Sequence, residues 1–374
     1  MLFRSRGYST FIGIDQAIDL KFVSRNDEST KCHFCPNNCS RTFIDTETPD
    51  GRTSRYISGF SCEKGTVESK ESLKVLARER AIIRSKYPNL VHEEATLAFR
   101  HFYDPKPLPP AGSDKADVEV RKLSFLRIAR RAFNRGFQRS HRDLSQVRVG
   151  LPRVLNMYST GPFFRTFLET LGLPKENVVW STATSEEMWT EGGRYGSIDP
   201  CFPSKVTQAH LHELIFHGHT DPKRGPLDYI WYPCITNIPN WVTSTMDNVT
   251  CPIVAGNPNV VKAAFTKETD FFKKYGIEYI DQSINFGEIN YLKRVLFDIW
   301  GPRLGVTEDE VEWAVDQGMA ALEEFNRVLE GKGKEILEQV EREDRMAILV
   351  IGRPYHNRSE EHTSELQSPC NLVC

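Results

Sequence analysis

The stretch 147-VRVGLPRVLNMYSTGPFFRTFLETLGLPKENVVWS-181 contains an apolar strand pattern, a helix pattern and a second strand pattern in succession. "GPFFRTFLETLG" predicts a helix with Pro162 at its start and Gly172 past its end. Further along, "LDYIWYP" and "IEYID" are near-continuous apolar runs, which are typical of parallel strands covered on both faces. The sequence therefore predicts an α/β fold, a Rossmann-like doubly wound parallel sheet, in a domain over residues 146–345.

The composition is that of an ordinary soluble globular protein. The 374 residues are 39% hydrophobic, so two or three domains are expected. A formal net charge of -2 points to neither a nucleic-acid nor a membrane partner. The longest apolar runs, such as "MAILVIG", are far too short to cross a bilayer. We therefore expect a cytoplasmic protein that binds neither membrane nor nucleic acid.

The region after the sheet predicts more helix and a further strand. Residues 307–343 predict a long helical hairpin opened by Thr307 and Glu310 at capping-box spacing. Beyond it, "IGRPY" at 351–355 repeats the pattern of "VGLPR" in the first strand: apolar residues, Gly, any residue and Pro. This repetition predicts that 346–357 forms the first strand of a second α/β half, which is truncated.

Both ends of the chain resemble translated sequencing adapter. "RSEEHTSELQSP" begins the segment 358–374, and "MLFRS" occupies residues 1–5. We interpret both segments as adapter-derived and exclude them from fold reasoning.

Four cysteines near the start of the chain have the spacing of a metal site. Cys32, Cys35 and Cys39 are close together, and Cys62 follows after a predicted hairpin. Soft thiolates at such spacing suit tetrahedral zinc or an iron-sulfur cluster equally. Residues 30–66 have too little apolar content to fold unaided, so the sequence predicts a four-cysteine metal-binding module, a cysteine-rich knuckle of undetermined metal.

The rest of this module is predicted to form a β-hairpin, and the region after it is predicted to be helical. Strands are predicted at 40–45 and 53–60, on either side of a Pro-Asp-Gly turn. Residues 67–145 predict a helical region interrupted by a Pro-rich linker at 104–115. The basic residues of the helix predicted at 119–139 are interpreted as solvent-exposed residues on either side of an apolar stripe. The near-neutral net charge of the chain does not indicate nucleic-acid binding.

Three further cysteines fall at predicted element ends. Cys201 precedes a helix with Pro203 near its first position, where the helix dipole favours a thiolate. Cys234 follows the strand "YIWYP", at the sheet edge where ligands collect. Cys251 begins an apolar run and would reach that edge only if the segment 235–250 loops back. Spacing alone leaves open the alternative of three ordinary buried thiols.

The run "HLHELIFHGH" carries four histidines, His210, His212, His217 and His219. It lacks the His-Glu-x-x-His pattern of zinc proteases, so these are interpreted as solvated helix and loop residues. No phosphate-binding glycine loop is present.

Taken together, "VRVGLPRVLNMY", "CFPSKVTQAH", "DYIWYPC", "CPIV" and "IGRPYH" resemble the CoA-substrate-specific enzyme activase-related family, over about residues 30–357. The resemblance implies a component similar to that of 2-hydroxyglutaryl-CoA dehydratase, supplied with electrons by an ATP-hydrolysing activase domain in the same full-length chain or a separate subunit. It implies that Cys201, Cys234 and Cys251 hold a [4Fe-4S] cluster with one iron open, and that an acyl-CoA-type molecule is the substrate.

Two other functions stay open. The first is a non-catalytic structural or docking module whose only metal is zinc at the N-terminal cysteines. The second is a nucleic-acid binder that uses the knuckle and the basic helix, which would bind with a steep dependence on salt.

Overall fold

The structure is a computed structural model that describes residues 13–34, 38–49, 51–60, 63–113, 133–136, 144–196, 201–239 and 248–356. Cys35, Cys62, most of the basic helix and both adapter-like segments lie outside these ranges. The described residues fall into two compact units, 13–88 and 89–356.

The first unit is a small antiparallel sheet with two helices. Its elements are α1 (Ile14–Ile18), β1 (Lys21–Arg25), β2 (Thr42–Glu47), β3 (Thr53–Ser58) and α2 (Lys70–Lys86). The strand order is β1-β2-β3. The structure confirms the two predicted strands as β2 and β3, whereas β1 was not predicted. The turn between them is closed by Gly51, which has φ +81° and donates its N–H to the Thr48 carbonyl at 2.8 Å.

The second unit is a parallel α/β domain. Its elements are α3 (Leu90–Leu97), β4 (Val149–Leu151), α4 (Met157–Thr170), β5 (Val178–Trp180), α5 (Glu186–Gly192), α6 (Phe202–Glu213), β6 (Tyr229–Trp231), β7 (Cys234–Asn237), α7 (Pro252–Thr266), α8 (Phe271–Tyr275), β8 (Glu278–Ile280), β9 (Ser283–Asn285), α9 (Ile289–Leu304) and α10 (Glu308–Arg342). All pairs in the sheet β5-β4-β6-β8 are parallel, and β7 pairs with β9 in parallel beyond it.

The predicted parallel α/β architecture is therefore confirmed. Strands β4 and β6 are buried at every residue, which explains their unbroken apolar patterns. The helices fall into two packing groups: α10 packs against α4 and α9, and α6 packs against α5 and α7. The chain leaves β4 toward β5 on one side and reaches β6 on the other, so the strand order reverses between β4 and β6. Ligands in open α/β sheets bind at such a reversal.

The predicted helical hairpin at 307–343 is wrong, because α10 is one continuous helix of 35 residues. Its capping box is confirmed: Thr307 Oγ1 accepts from the Glu310 N–H at 3.2 Å, and the Glu310 carboxylate accepts from the Thr307 N–H at 2.9 Å. Gly331 and Gly333 cost about 1 kcal/mol each inside the helix. Packing of its first half against α4 offsets that cost. Pro162 likewise lies inside α4 rather than at its start.

The predicted strand at 346–357 does not form in the described part of this segment. Met346, Ile348 and Ile351 are 92%, 86% and 88% exposed, and residues 346–351 have no regular secondary structure. A strand needs a neighbour to satisfy its backbone hydrogen bonds, and no described strand pairs with this run. None of the helices in the described ranges combines the length and the apolar content that a bilayer crossing requires.

Candidate metal centre

Cys201 lies at the N-terminus of α6, where the sequence predicts it. Its carbonyl accepts the N–H groups of Ser204 and Lys205 at 3.1 and 3.2 Å, which opens the helix. Pro203 occupies the first turn, where a missing N–H costs nothing because the helix offers no internal acceptor. The thiol therefore lies at the positive end of the helix dipole.

Cys251 occupies the same position in α7, and the residues just before it lie beside the end of β7. The Ile238 N–H donates to the Asn248 carbonyl at 3.2 Å, and the Thr250 N–H donates to the Thr236 carbonyl at 2.9 Å. These bonds lay residues 248–250 antiparallel to the end of β7. The return required for Cys251 to reach the strand edge is thus present.

The surroundings of Cys251 favour its thiolate. Burial raises the pKa of this thiol, but the N–H groups of Val254 and Ile253 and the guanidinium of Arg353 lower it by more, so the pKa lies below its usual value. A lowered pKa favours the thiolate, which is the form in which a cysteine binds a metal or acts as a nucleophile.

Arg353 lies beside Cys251, and Tyr355 lies near both Cys251 and Cys201. Arg353 Nη1 donates to the Tyr355 hydroxyl at 2.8 Å, and Tyr355 is 3% exposed. Burial raises the pKa of Tyr355, the guanidinium of Arg353 lowers it, and the charges of Cys251 and Cys201 raise it further. Both thiols are therefore within electrostatic reach of one phenol. The sequence analysis used 351–355 only as a strand pattern and missed these two residues.

Cys234 begins β7 and has different neighbours. It is 5% exposed, and Asn259 Nδ2 donates to its sulfur at 3.5 Å. Burial first, and then the carboxylate of Asp281, raise the pKa of this thiol. The sulfur atoms of Cys201, Cys234 and Cys251 do not all lie within 4.8 Å of one another, as the ligands of a single ion would. The ligands of a cluster bind different iron atoms, so this separation bears only on a mononuclear site.

The residues around Cys201 and Cys251 fit an anionic thiolate-bound group. Two helix N-termini and one guanidinium supply positive potential. The Ser204 hydroxyl, one turn after Cys201, is fully buried and has no hydrogen-bond partner among the described residues. Buried hydroxyls are normally satisfied, so this one is available to a bound group.

In the described part of the N-terminal cysteine module, a backbone hydrogen bond joins Cys32 and Cys39. The Cys32 N–H donates to the Cys39 carbonyl at 2.9 Å, and Cys32 is 3% exposed. The buried Arg41 guanidinium donates to four carbonyls, those of Thr30, Lys31, Gly65 and Val67. Arg41 thus links the residues just before Cys32 to the segment after β3. The four-cysteine site itself stays a prediction, because Cys35 and Cys62 lie outside the described residues.

One histidine interpretation is wrong. His210 is fully buried, and its ring hydrogen-bonds with the hydroxyls of Ser181 at 2.8 Å and Thr184 at 3.0 Å. These hydroxyls follow β5, so the histidine joins α6 to the sheet instead of facing solvent.

The pKa shifts predict different pH dependences for two thiols. In metal-free, reduced protein, we expect iodoacetamide to alkylate Cys251 at a lower pH than Cys234, because the alkylation rate follows the thiolate fraction. Peptide mass spectrometry across a pH series measures both rates. Arg353→Gln should move the Cys251 profile to higher pH and leave the Cys234 profile unchanged. Coincident profiles in the unmodified chain would contradict the prediction.

Comparison with known proteins places this domain in a family. No curated protein and no solved structure matches the chain. The family described as "CoA enzyme activase uncharacterised domain (DUF2229)" matches residues 148–368. The match covers the parallel sheet and continues past Arg358, where we place the start of the adapter-like tail; that boundary stays a prediction. Because more than half of the 374 residues are matched, the chain belongs to the CoA enzyme activase-related family.

Proposed function

We propose that this chain is the iron-sulfur electron-transfer component of an ATP-driven, activase-dependent system of the 2-hydroxyacyl-CoA dehydratase or reductase type. One observation carries the proposal. Cys201 and Cys251 are the N-cap residues of two helices that pack together, and both lie close enough to the buried Tyr355 for their charges to raise its pKa. Family membership supports the involvement of an activase domain.

The cysteines would hold the cluster as thiolates. Cys201 and Cys251 bind from the helix ends, where the dipoles stabilise negative charge. Cys234 is the proposed third ligand, and its buried thiol must lose a proton on binding, since metal binding releases protons from thiol ligands. A bound [4Fe-4S] cluster supplies one-electron transfer at low potential.

The neighbouring side chains would tune this site. Arg353 places a positive charge beside Cys251 and donates to Tyr355. Tyr355 keeps its proton on the hydroxyl oxygen, because burial raises its pKa. Its O–H can therefore donate a hydrogen bond to a thiolate or to a small ligand. Electrons would come from an ATP-hydrolysing activase domain, and an acyl-CoA-type molecule would be the substrate.

The proposed N-terminal site is separate. Cys32, Cys35, Cys39 and Cys62 would hold zinc or a second iron-sulfur cluster. The backbone hydrogen bond between Cys32 and Cys39 holds two of these cysteines close together. It supports the alternative function, in which the chain is a non-catalytic, zinc-stabilised structural or docking module of a larger activase protein.

Metal analysis of anaerobically purified protein tests the proposal. We expect iron and acid-labile sulfide in equal amounts, and an EPR signal after reduction with dithionite. The variant Cys32→Ser/Cys39→Ser removes the proposed N-terminal site and should retain the iron and the EPR signal of the cluster proposed at Cys201, Cys234 and Cys251. Zinc as the only metal in the unmodified chain would contradict the electron-transfer function and favour the structural alternative.

A further inference from the structure

Three side chains of the second unit form another cluster of metal-ligand type. Glu191 comes from α5, and His212 and His217 come from α6 and the turn that extends it. Each offers one ligand atom, and the three atoms lie within 4.8 Å of one another. The Glu191 carboxylate and His217 Nε2 are 3.1 Å apart. Among the described residues, this is the one group of three or more such side chains with that geometry.

A change of helix type brings the two histidines together. In an α-helix with 3.6 residues per turn, residues five apart point about 140° away from each other. Residues Leu214–Gly218 form a π-helical turn, closed by the His219 N–H donating to the Leu214 carbonyl at 2.8 Å. This wider turn moves His217 toward His212, and their ring centroids are 5.9 Å apart. π-turns within helices frequently occur at functional sites.

Gly192 allows the carboxylate to approach the histidines. A Cβ atom at this position would lie 2.4 Å from the Ala209 Cα and 3.0 Å from the His212 Cβ. Any larger residue would force α5 away from α6, because the nearest atom belongs to the backbone. The absence of a side chain at Gly192 therefore sets the distance at which Glu191, the preceding residue, meets the two rings.

Packing restrains the inner ligand and leaves the outer two accessible. The His212 ring packs against the rings of Tyr195 and Phe216, with centroid distances of 5.1 and 4.6 Å. Such packing lowers the entropy lost when the ring binds an ion. The side chains of His217 and Glu191 are 59% and 56% exposed, so an ion and its remaining ligands can reach the cluster from solvent.

We propose that Glu191, His212 and His217 bind a divalent transition metal such as Zn²⁺, with two imidazole nitrogens and one carboxylate oxygen. Two histidines and one carboxylate are the ligand set of zinc sites that keep a fourth position for water or substrate. The same set with open positions also suits Fe²⁺. The site contains no sulfur, which distinguishes it from both cysteine sites, and it does not depend on the proposed electron-transfer function.

Cobalt titration of the full chain tests this site, with the cysteine sites already filled by anaerobic reconstitution. We expect one saturable Co²⁺ site with visible d–d absorption and without the sulfur-to-cobalt charge-transfer band that a thiolate would give. His217→Ala and Glu191→Gln should each weaken Co²⁺ binding at least about tenfold, since even outer-shell changes cost that much at metal sites. Both side chains are exposed, so thermal unfolding should stay unchanged without metal.

Two matched controls come from the same unit. Glu187→Gln changes another carboxylate of α5, and His92→Ala removes another histidine on a helix surface. Both should bind Co²⁺ as the unmodified chain does. The proposal is overturned if no sulfur-free Co²⁺ site is found, or if binding is the same in His217→Ala and Glu191→Gln as in the controls.

Discussion

Alanine in place of Cys201 is expected to remove the cluster iron of the second unit while its fold persists. Loss of one of three proposed thiolates leaves too few ligands to hold the cluster, so the EPR signal of the reduced protein should disappear. The Cys201 side chain makes no capping hydrogen bond and is only partly buried, so its removal should barely change stability. Iron content, EPR and thermal unfolding of anaerobic protein measure these effects together.

Substitution of the nearby Ser204 provides the matched control for Cys201→Ala. Ser204→Ala changes the first turn of the same helix without removing a thiol. It should keep its iron content, while any role of the unpartnered hydroxyl should change only the line shape of the EPR signal. Full iron and an unchanged signal in Cys201→Ala would refute the assignment of this cysteine as a ligand.

Among the substitutions proposed here, Trp231→Ala is expected to lower the free energy of unfolding the most. Trp231 ends β6 and is fully buried, and its ring lies 4.7 Å from that of Phe164 and 4.9 Å from that of Trp300. It thus joins the sheet to both α4 and α9. Removing a buried aromatic side chain costs about 3–5 kcal/mol, in lost burial and in the cavity that remains. Urea unfolding monitored by circular dichroism measures the change in free energy.

An exposed aromatic residue in the same unit gives the control. Tyr291 lies on α9 and is 51% exposed, so Tyr291→Ala should change the free energy of unfolding by no more than about 0.5 kcal/mol. Similar losses for the two variants would mean that the aromatic contacts around β6 contribute little to the core.

The sheet could be predicted from sequence because its determinants are local. Each buried strand is an apolar run, and Pro203 marks the start of α6 without reference to the rest of the chain. Local signals gave the wrong prediction for α10. A helical hairpin and one long helix have the same helical pattern, and residues 307–343 contain no proline or turn motif that would end a first helix. Local signals also failed at 346–351, because an apolar run indicates a strand only if a neighbouring strand pairs with it.

The site was less predictable because its parts come from distant segments. A helix-start signal placed Cys201, whereas the position of Cys251 depended on whether the segment 235–250 loops back. Arg353 and Tyr355 lie about a hundred residues after Cys251, and no motif in the sequence indicates that they come near the cysteines. The Glu191, His212 and His217 cluster depends on a π-turn and on a glycine contact between helices, and neither has a recognisable sequence motif.

The exposed run 346-MAILVI-351 also affects the behaviour of the protein in concentrated solution. This run has six consecutive apolar residues and no proline, and its Ile348, Val350 and Ile351 have high strand propensity. Exposed segments of this type pair with identical copies in aggregates. The charged stretch 341-EREDR-345 immediately before it and Arg353 just after it act as gatekeepers, because stacked copies would bring like charges together. Colloidal stability should therefore decrease as salt screens these charges, so low ionic strength and dilute protein suit the metal titrations.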